Sequence, residues 1–312
     1  MLEVLLLHLG FADHPEPKIV GGWEADIRDV PYFARITYSF NRTLYGQTVL
    51  ITDFCGATII HQQWLLSACS CVTRVIGNKY PLWMVLGVDN LNDTQYMPRR
   101  GDLLPRVDLI QCHPQYKSEF VGPAENKLSL SKHDICLLRT DHLLVFGNYI
   151  NRAALPWKAY DQEFIEKSLL VSGFGRIGLP GKNPDKLLSI RVKLLTHEEC
   201  ESLFNPPDLP IFYDRDFNIC AMSADNVTRS PCSGDSGGGL IYEDSVSGCP
   251  VVIGVVSSMN APFCYSAVRF PKVSLYKSWI QQTMQRFNYP TGQGNINATR
   301  GRYDYPERNS IH

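Results

Sequence analysis

The chain has 312 residues, of which 44% are hydrophobic and 20% charged, with a formal net charge of −1. That length holds one large domain or two of ordinary size, with a sizeable core. The near-neutral balance gives no electrostatic reason to expect nucleic acid or an anionic membrane as partner. No apolar run approaches the roughly 18 residues a membrane-spanning helix needs.

From the N-terminus, MLEVLLLHLGFA (1–12) reads as a short signal peptide ending at the small residue Ala12. It lacks a basic leading region, and Glu3 and His8 interrupt its apolar run; the alternative is a misplaced start of the coding sequence. A polar hexapeptide, DHPEPK (13–18), follows as a short propeptide, and then IVGG. From there to about Val273 the chain is a series of short apolar or alternating runs separated by turn residues. Examples are YFARITY, FCGATII, LWMVLG, RVDLIQC, DICLLRT, SLLVSGFG and PVVIGVVS. Many short strands without long helical periodicity predict an all-β sandwich or barrel. Near the end, LYKSWIQQTMQRF places Tyr276, Trp279, Ile280, Met284 and Phe287 on one helical face, with Ser274 as the expected N-cap. The polar segment 288–312 is expected to be disordered.

Ten cysteines without a zinc-like double CxxC pattern fit an oxidising compartment. Sequons at Asn41, Asn92, Asn226 and Asn297 agree with it. Together they predict a secreted, extracellular glycoprotein.

GDSGG at Gly234–Gly238 is the most informative motif. With IVGG at Ile19–Gly22, CGATII after Phe54, HDICLL at His133–Leu138 and the closing WIQQTM helix, it resembles the chymotrypsin-like serine proteases over about Ile19 to Phe287. The resemblance implies two six-stranded antiparallel β-barrels with the active site between them. The barrels would occupy roughly Ile19–Asp141 and Tyr149–Val273, within a protease-homologue domain of 19–287. It further implies disulfides Cys55–Cys71, Cys200–Cys220 and Cys232–Cys264. Cys112 and Cys136 fall on strands adjacent in such a fold, which permits a bridge between them; Cys69 and Cys249 are left as free thiols or as links to another chain.

Peptide hydrolysis by this chemistry needs a hydroxyl nucleophile, a base, a group that orients the base, and donors for the oxyanion. The resemblance puts Ser236 at the nucleophile, Asp134 at the orienting carboxylate, and the N–H groups of Gly234 and Ser236 at the oxyanion hole. The family pattern around the base is W-[apolar]-[apolar]-[ST]-A-A-H-C. This chain reads W-L-L-S-A-C-S-C, so Ser70 stands at the histidine. A serine hydroxyl is not basic near neutral pH and is too short to span from Asp134 to Ser236. The histidines His61, His113 and His133 are expected to lie outside that gap. Loss of the base costs on the order of 10⁶ in turnover.

Other positions are read in the same way. Ser230 stands at the base of the specificity pocket, and Met259 and Val268 stand where the family has wall glycines, so the pocket should be obstructed. Cleavage after Lys18 would free the Ile19 amine to pair with Asp235, and a buried carboxylate and ammonium are tolerable only as a pair. Val88 occupies a glutamate position of calcium-binding relatives and offers no oxygen ligand, so neither a metal nor a cofactor is expected.

These residues predict a secreted serine-protease homologue without catalysis, similar to the inactivated protease paralogues of arthropods and parasitic mites. Such a protein would act by binding an unidentified protein partner: a protease, its substrate or a host-defence protein. An active endopeptidase with a non-standard base, and a disulfide-linked structural glycoprotein, are the alternatives. The segment from Ile36 to Phe54 and the insertion Lys117–Ser131 are the candidate binding faces.

Overall fold

The structure, a computed structural model, describes residues 22–44, 47–78, 80–92, 105–121, 128–156, 164–165, 167–176, 182–205, 213–224, 230–244, 247–259, 266–288 and 303–304. The signal and propeptide segments, with Lys18 and Ile19, lie outside them. In chain order the first half carries β1 (Trp23–Glu24), β2 (Phe33–Leu44), β3 (Gln47–His61), β4 (Trp64–Ser67), α1 (Cys69–Asn78), β5 (Trp83–Leu86), β6 (Val107–Cys112), β7 (Lys117–Val121), β8 (Leu128–Lys132) and β9 (Cys136–Thr140). The second carries β10 (Leu169–Gly173), β11 (Leu188–Leu194), α2 (His197–Phe204), β12 (Asn218–Ser223), β13 (Gly239–Glu243), β14 (Pro250–Val255), β15 (Ser258–Met259), β16 (Val268–Pro271), α3 (Val273–Phe287) and β17 (Tyr303–Asp304).

Twelve of these strands make two antiparallel barrels, as expected. In the first the pairing order is β5-β2-β3-β4-β9-β6, and a bridge between Trp83 and Arg106 returns β5 to the start of β6. In the second the order is β14-β13-β10-β11-β12-β16, and Gly254 bridges to Lys272 at its seam. Local sequence explains the strands. Along β2, Ala34, Ile36 and Tyr38 are buried while Arg35, Thr37 and Ser39 take the opposite face, the two-residue period of a pleated strand. β4 and β10 are buried at every position, so they read as continuous apolar runs instead.

Two expectations about boundaries change. β1, placed in the first barrel from chain order, pairs with β11 of the second (Trp23 opposite Ser189). At the other end α3 buries Val273, Tyr276 and Ile280 in the apolar cluster that holds the first barrel's core together with residues of the second, such as Ile241 and Val252. Trp64 Nε1 donates to Asn288 Oδ1 just beyond it, at 2.9 Å. The helix begins at Val273, with Lys272 in the capping position and no side-chain cap. Ser274 therefore lies inside the first turn, because the bridge at Lys272 keeps the chain extended up to that residue.

The disulfides include a correction. Cys55 joins Cys71, and Cys200 joins Cys220. Cys232 is disulfide-bonded, while its expected partner Cys264 lies outside the described residues. Cys112 bonds Cys69 rather than Cys136, with their Cα atoms 5.5 Å apart. Strand adjacency was correctly read, since Cys112 and Cys136 sit opposite each other in register. What sequence could not show is that the first residue of α1 also lies against β6. Cys112 makes one bond, so Cys136 remains a buried thiol, and Cys249 is also free.

The Ile36–Phe54 segment is the outer part of a long β2–β3 hairpin, and the 117–131 insertion pairs β7 with β8. Within the C-terminal segment expected to be disordered, Tyr303–Asp304 pair in parallel with Ile110–Gln111. Asn41 and Asn92 are exposed; Asn226 and Asn297 lie outside the described residues. Among the described residues no helix is long and apolar enough to cross a membrane.

Candidate active-site cleft

Asp134 lies in the bend before β9 and is 1% exposed. Its Oδ1 accepts the Ser70 N–H at 2.7 Å, and its Oδ2 accepts the Ser70 hydroxyl at 2.8 Å. A second hydroxyl, that of Ser257, donates to Oδ2 at 2.6 Å. Ser70 is in the first turn of α1, where backbone N–H groups have no partner within the helix and the helix dipole favours an anion. Asp134 thus acts as an external cap for that helix, with both oxygens occupied.

Ser236 comes to the cleft on the turn between Cys232 and β13. Its carbonyl accepts the Gly56 N–H at 2.8 Å, which fixes the turn against β3 of the other barrel. Its side chain is half-buried, and no described residue hydrogen-bonds its hydroxyl. Gly234 has a φ of 105°, and a Cβ there would stand 2.6 Å from the Phe54 ring. Only glycine allows both that backbone and that contact.

None of the described histidines bonds Asp134 or Ser236. His61 Nδ1 accepts the Gln63 N–H. His133 Nδ1 pairs with the Tyr276 hydroxyl at 3.1 Å, and the His113 ring stacks on His133. Burial, reinforced by His133, pulls the His113 pKa down to about 4. His142 pairs with Asp141 and His197 with Tyr213. The remaining three, His8, His14 and His312, lie outside the described residues.

Around the expected specificity pocket, Ser230 and Val268 are each 1% exposed. The Ser230 hydroxyl donates to the Ser266 carbonyl at 2.8 Å, and Val268 packs in the core of the second barrel. Met259, of which only the backbone is described, pairs with Val268 in register.

Two neighbours escaped the sequence reading. One is Ser257: nothing local marks it as a donor to a carboxylate far away in the chain. Arg269 is 2% exposed on β16; its Nε donates to Ser258 Oγ at 3.0 Å and its Nη2 to the Ser131 carbonyl at 2.8 Å. Burial brings its pKa down to about 10, against the opposing field of Asp134. Its signal was present: a charged residue in the otherwise apolar run AVRF.

Asp235 is buried beside Ser236. Its Oδ1 accepts the Gly175 N–H at 2.7 Å and its Oδ2 the Cys232 N–H at 2.8 Å. A Cβ at Gly173 would stand 2.0 Å from Oδ1, so that position admits no side chain. Burial raises the Asp235 pKa to about 6, and the two backbone donors oppose the shift. Because the folded value lies above the unfolded one, the folded chain binds the extra proton between pH 4 and 6 and loses stability as pH rises through that window. The difference in unfolding free energy between the intact chain and its Asp235→Asn variant should therefore fall by about 2 kcal/mol from pH 4 to 7. Urea unfolding at the two pH values measures it. An unchanged difference would show that this carboxyl titrates normally.

Comparison with known proteins agrees with the two barrels. The trypsin family model matches residues 19–280. Rat granzyme-like protein 1 is 26% identical over 286 residues, covering 91% of this chain and 99% of the relative. Rat granzyme B is 26% identical over 292 residues, covering 91% and 100%. The venom peptide isomerase heavy chain of Agelenopsis aperta is 25% identical over 275 residues, covering 85% and 100%. With that match spanning most of its length and both barrels in place, the chain belongs to the trypsin family of serine proteases.

Proposed function

We propose that this trypsin-family chain is a secreted, non-catalytic homologue that acts by binding a protein partner. It would serve as a decoy, a competitor or a cofactor in proteolytic or host-defence pathways. One observation carries the reading: both oxygens of the buried Asp134 carboxylate accept hydrogen bonds from Ser70 and Ser257, with no histidine among the donors, and no described residue hydrogen-bonds the Ser236 hydroxyl. Without a proton acceptor joining acid and alcohol, Ser236 stays a neutral hydroxyl, and the N–H groups of Gly234 and Ser236 can hold a carbonyl without an attack on it. The buried Ser230 and Val268 support the same reading from the pocket side. Cysteine usage, the exposed Asn41 and Asn92, and the apolar leader support secretion.

The test is reaction of the chain processed to start at Ile19 with a fluorophosphonate probe, alongside assays with peptide and thioester substrates. Labelling of Ser236 no faster than that of its unfolded form, with no turnover, is expected. Stoichiometric labelling with peptide cleavage would establish the alternative, an endopeptidase with an unusual base. N-terminal sequencing of the secreted protein tests the processing itself: Ile19 is the expected first residue.

A further inference from the structure

The outward face of β2 carries an arginine whose surroundings do not match its charge. The Arg35 guanidinium lies over the Phe54 ring at 4.1 Å from its centroid and 5.8 Å from that of Phe174. Its Nε is shut off from solvent without a hydrogen-bond partner, and no described residue bonds or ion-pairs any part of the group. Burial lowers its pKa. The opposing influence comes from Asp185, which is exposed and forms no ion pair with it. A half-buried guanidinium normally secures carboxylates or carbonyls for its donors. Here two aromatic faces hold the cation, by stacking and cation–π attraction, and leave its terminal nitrogens open.

Position gives this group a use. Phe54 is the ring that a side chain at Gly234 would strike, and the Cα of Gly175 is 3.1 Å from the same point. Gly234, Phe54 and Arg35 are thus consecutive layers leading away from Ser236. Arg176, exposed and joined to the same turn through its N–H to the Ser233 carbonyl at 2.9 Å, adds a second positive charge on that side.

We propose that Arg35, stacked on Phe54, is the anchor of a carboxylate-binding subsite beside Gly234, filled by an acidic residue or chain terminus of a bound protein segment. The proposal rests on the reading of this chain as a binding protein and specifies the partner's chemistry. The rings exclude water from one side of the cation, so an incoming carboxylate meets a charge already partly desolvated, and the terminal N–H pair matches its two oxygens. Lysine could supply the charge, but neither the stacking nor the fork.

Three fluorescein-labelled hexapeptides of otherwise identical sequence provide the probe: a central Glu-Glu pair with an amidated end, Gln-Gln with an amidated end, and Gln-Gln with a free terminal carboxylate. Anisotropy titrations use the full processed chain. At least one carboxylate peptide should bind about 10-fold or more tighter than the neutral one, and the advantage should shrink to less than about 2-fold in Arg35→Gln and only partly survive in Arg35→Lys. Which peptide wins assigns the carboxylate to a side chain or a terminus. Thermal melts establish that each variant is folded. Independently of any variant, the Arg35 Nε–H resonance of the ¹⁵N-arginine-labelled wild type should shift with the acidic peptide and not with the neutral one. Equal affinity for all three peptides, or an advantage that persists in Arg35→Gln, overturns the subsite. Hydrolysis of any peptide would instead overturn the non-catalytic reading and leave this subsite standing.

Discussion

Ser70→His alone should leave peptide hydrolysis at no more than about 10³–10⁴ over water, the residual level expected from an oxyanion hole and binding. Combined with Met259→Gly and Val268→Gly it should rise by a further factor of about 10³ or more. The receiving geometry is favourable: Asp134 Oδ1 already holds the backbone N–H of residue 70, and Oδ2 would exchange the serine hydroxyl for an imidazole N–H. Ser257 would go on holding the carboxylate from the other side. Placement of the base is therefore not the expected obstacle. The pocket is, because Met259 and Val268 replace the wall glycines that the family resemblance implies, and Ser230 and Val268 have almost no accessible surface. Val268 belongs to the second-barrel core, so its removal also costs roughly 2–3 kcal/mol. Initial rates on thioester and peptide substrates, read beside melting curves, separate the two effects. Robust cleavage by the single variant would show that the pocket is open to substrate and that the missing imidazole was the whole defect.

Replacing Cys69 and Cys112 together by alanine should lower the unfolding free energy by about 4 kcal/mol, the loop-closure contribution of a bridge spanning 43 residues. This bridge adjoins Ser70 and ties the first turn of α1 to β6, so the double variant should also loosen the hydrogen bonds from Ser70 to Asp134. Denaturant unfolding gives the stability change, and hydrogen exchange at the Ser70 N–H gives the local one. Disulfide mapping of the wild type by mass spectrometry is the direct check. A Cys112–Cys136 peptide in place of Cys69–Cys112 would refute the pairing and with it the local prediction.

Much of the protein could be read from short stretches. Alternation in YFARITY and continuous burial in WLLS and LLVSG reflect backbone periods that a few residues declare for themselves. GDSGG and HDICLL were legible through the family resemblance they carry, and the structure adds a physical reason for one glycine: Gly234 has a φ above zero and no room for a side chain. The register around Ser70 was also legible, because Cys71 and Trp64 flank it at the spacing that the resemblance implies. The C-terminal helix was visible in its apolar face, but its first turn was misjudged, since the bridge that holds Lys272 extended is made with Gly254 in another strand.

What the sequence determined by itself was the all-β class, a property of local chain geometry, while the two-barrel plan and the role of each motif position were implied by the family resemblance that the motifs carry. Only the tertiary structure decided which sulfur Cys112 meets, that Ser257 joins Ser70 on Asp134, that Arg269 lies buried behind them, and that Arg35 is left stacked between rings with open donors. Those outcomes turn on packing between segments far apart in the chain. A cysteine, a serine or an arginine carries no mark of its distant neighbour until the barrels close and determine which groups lose water together.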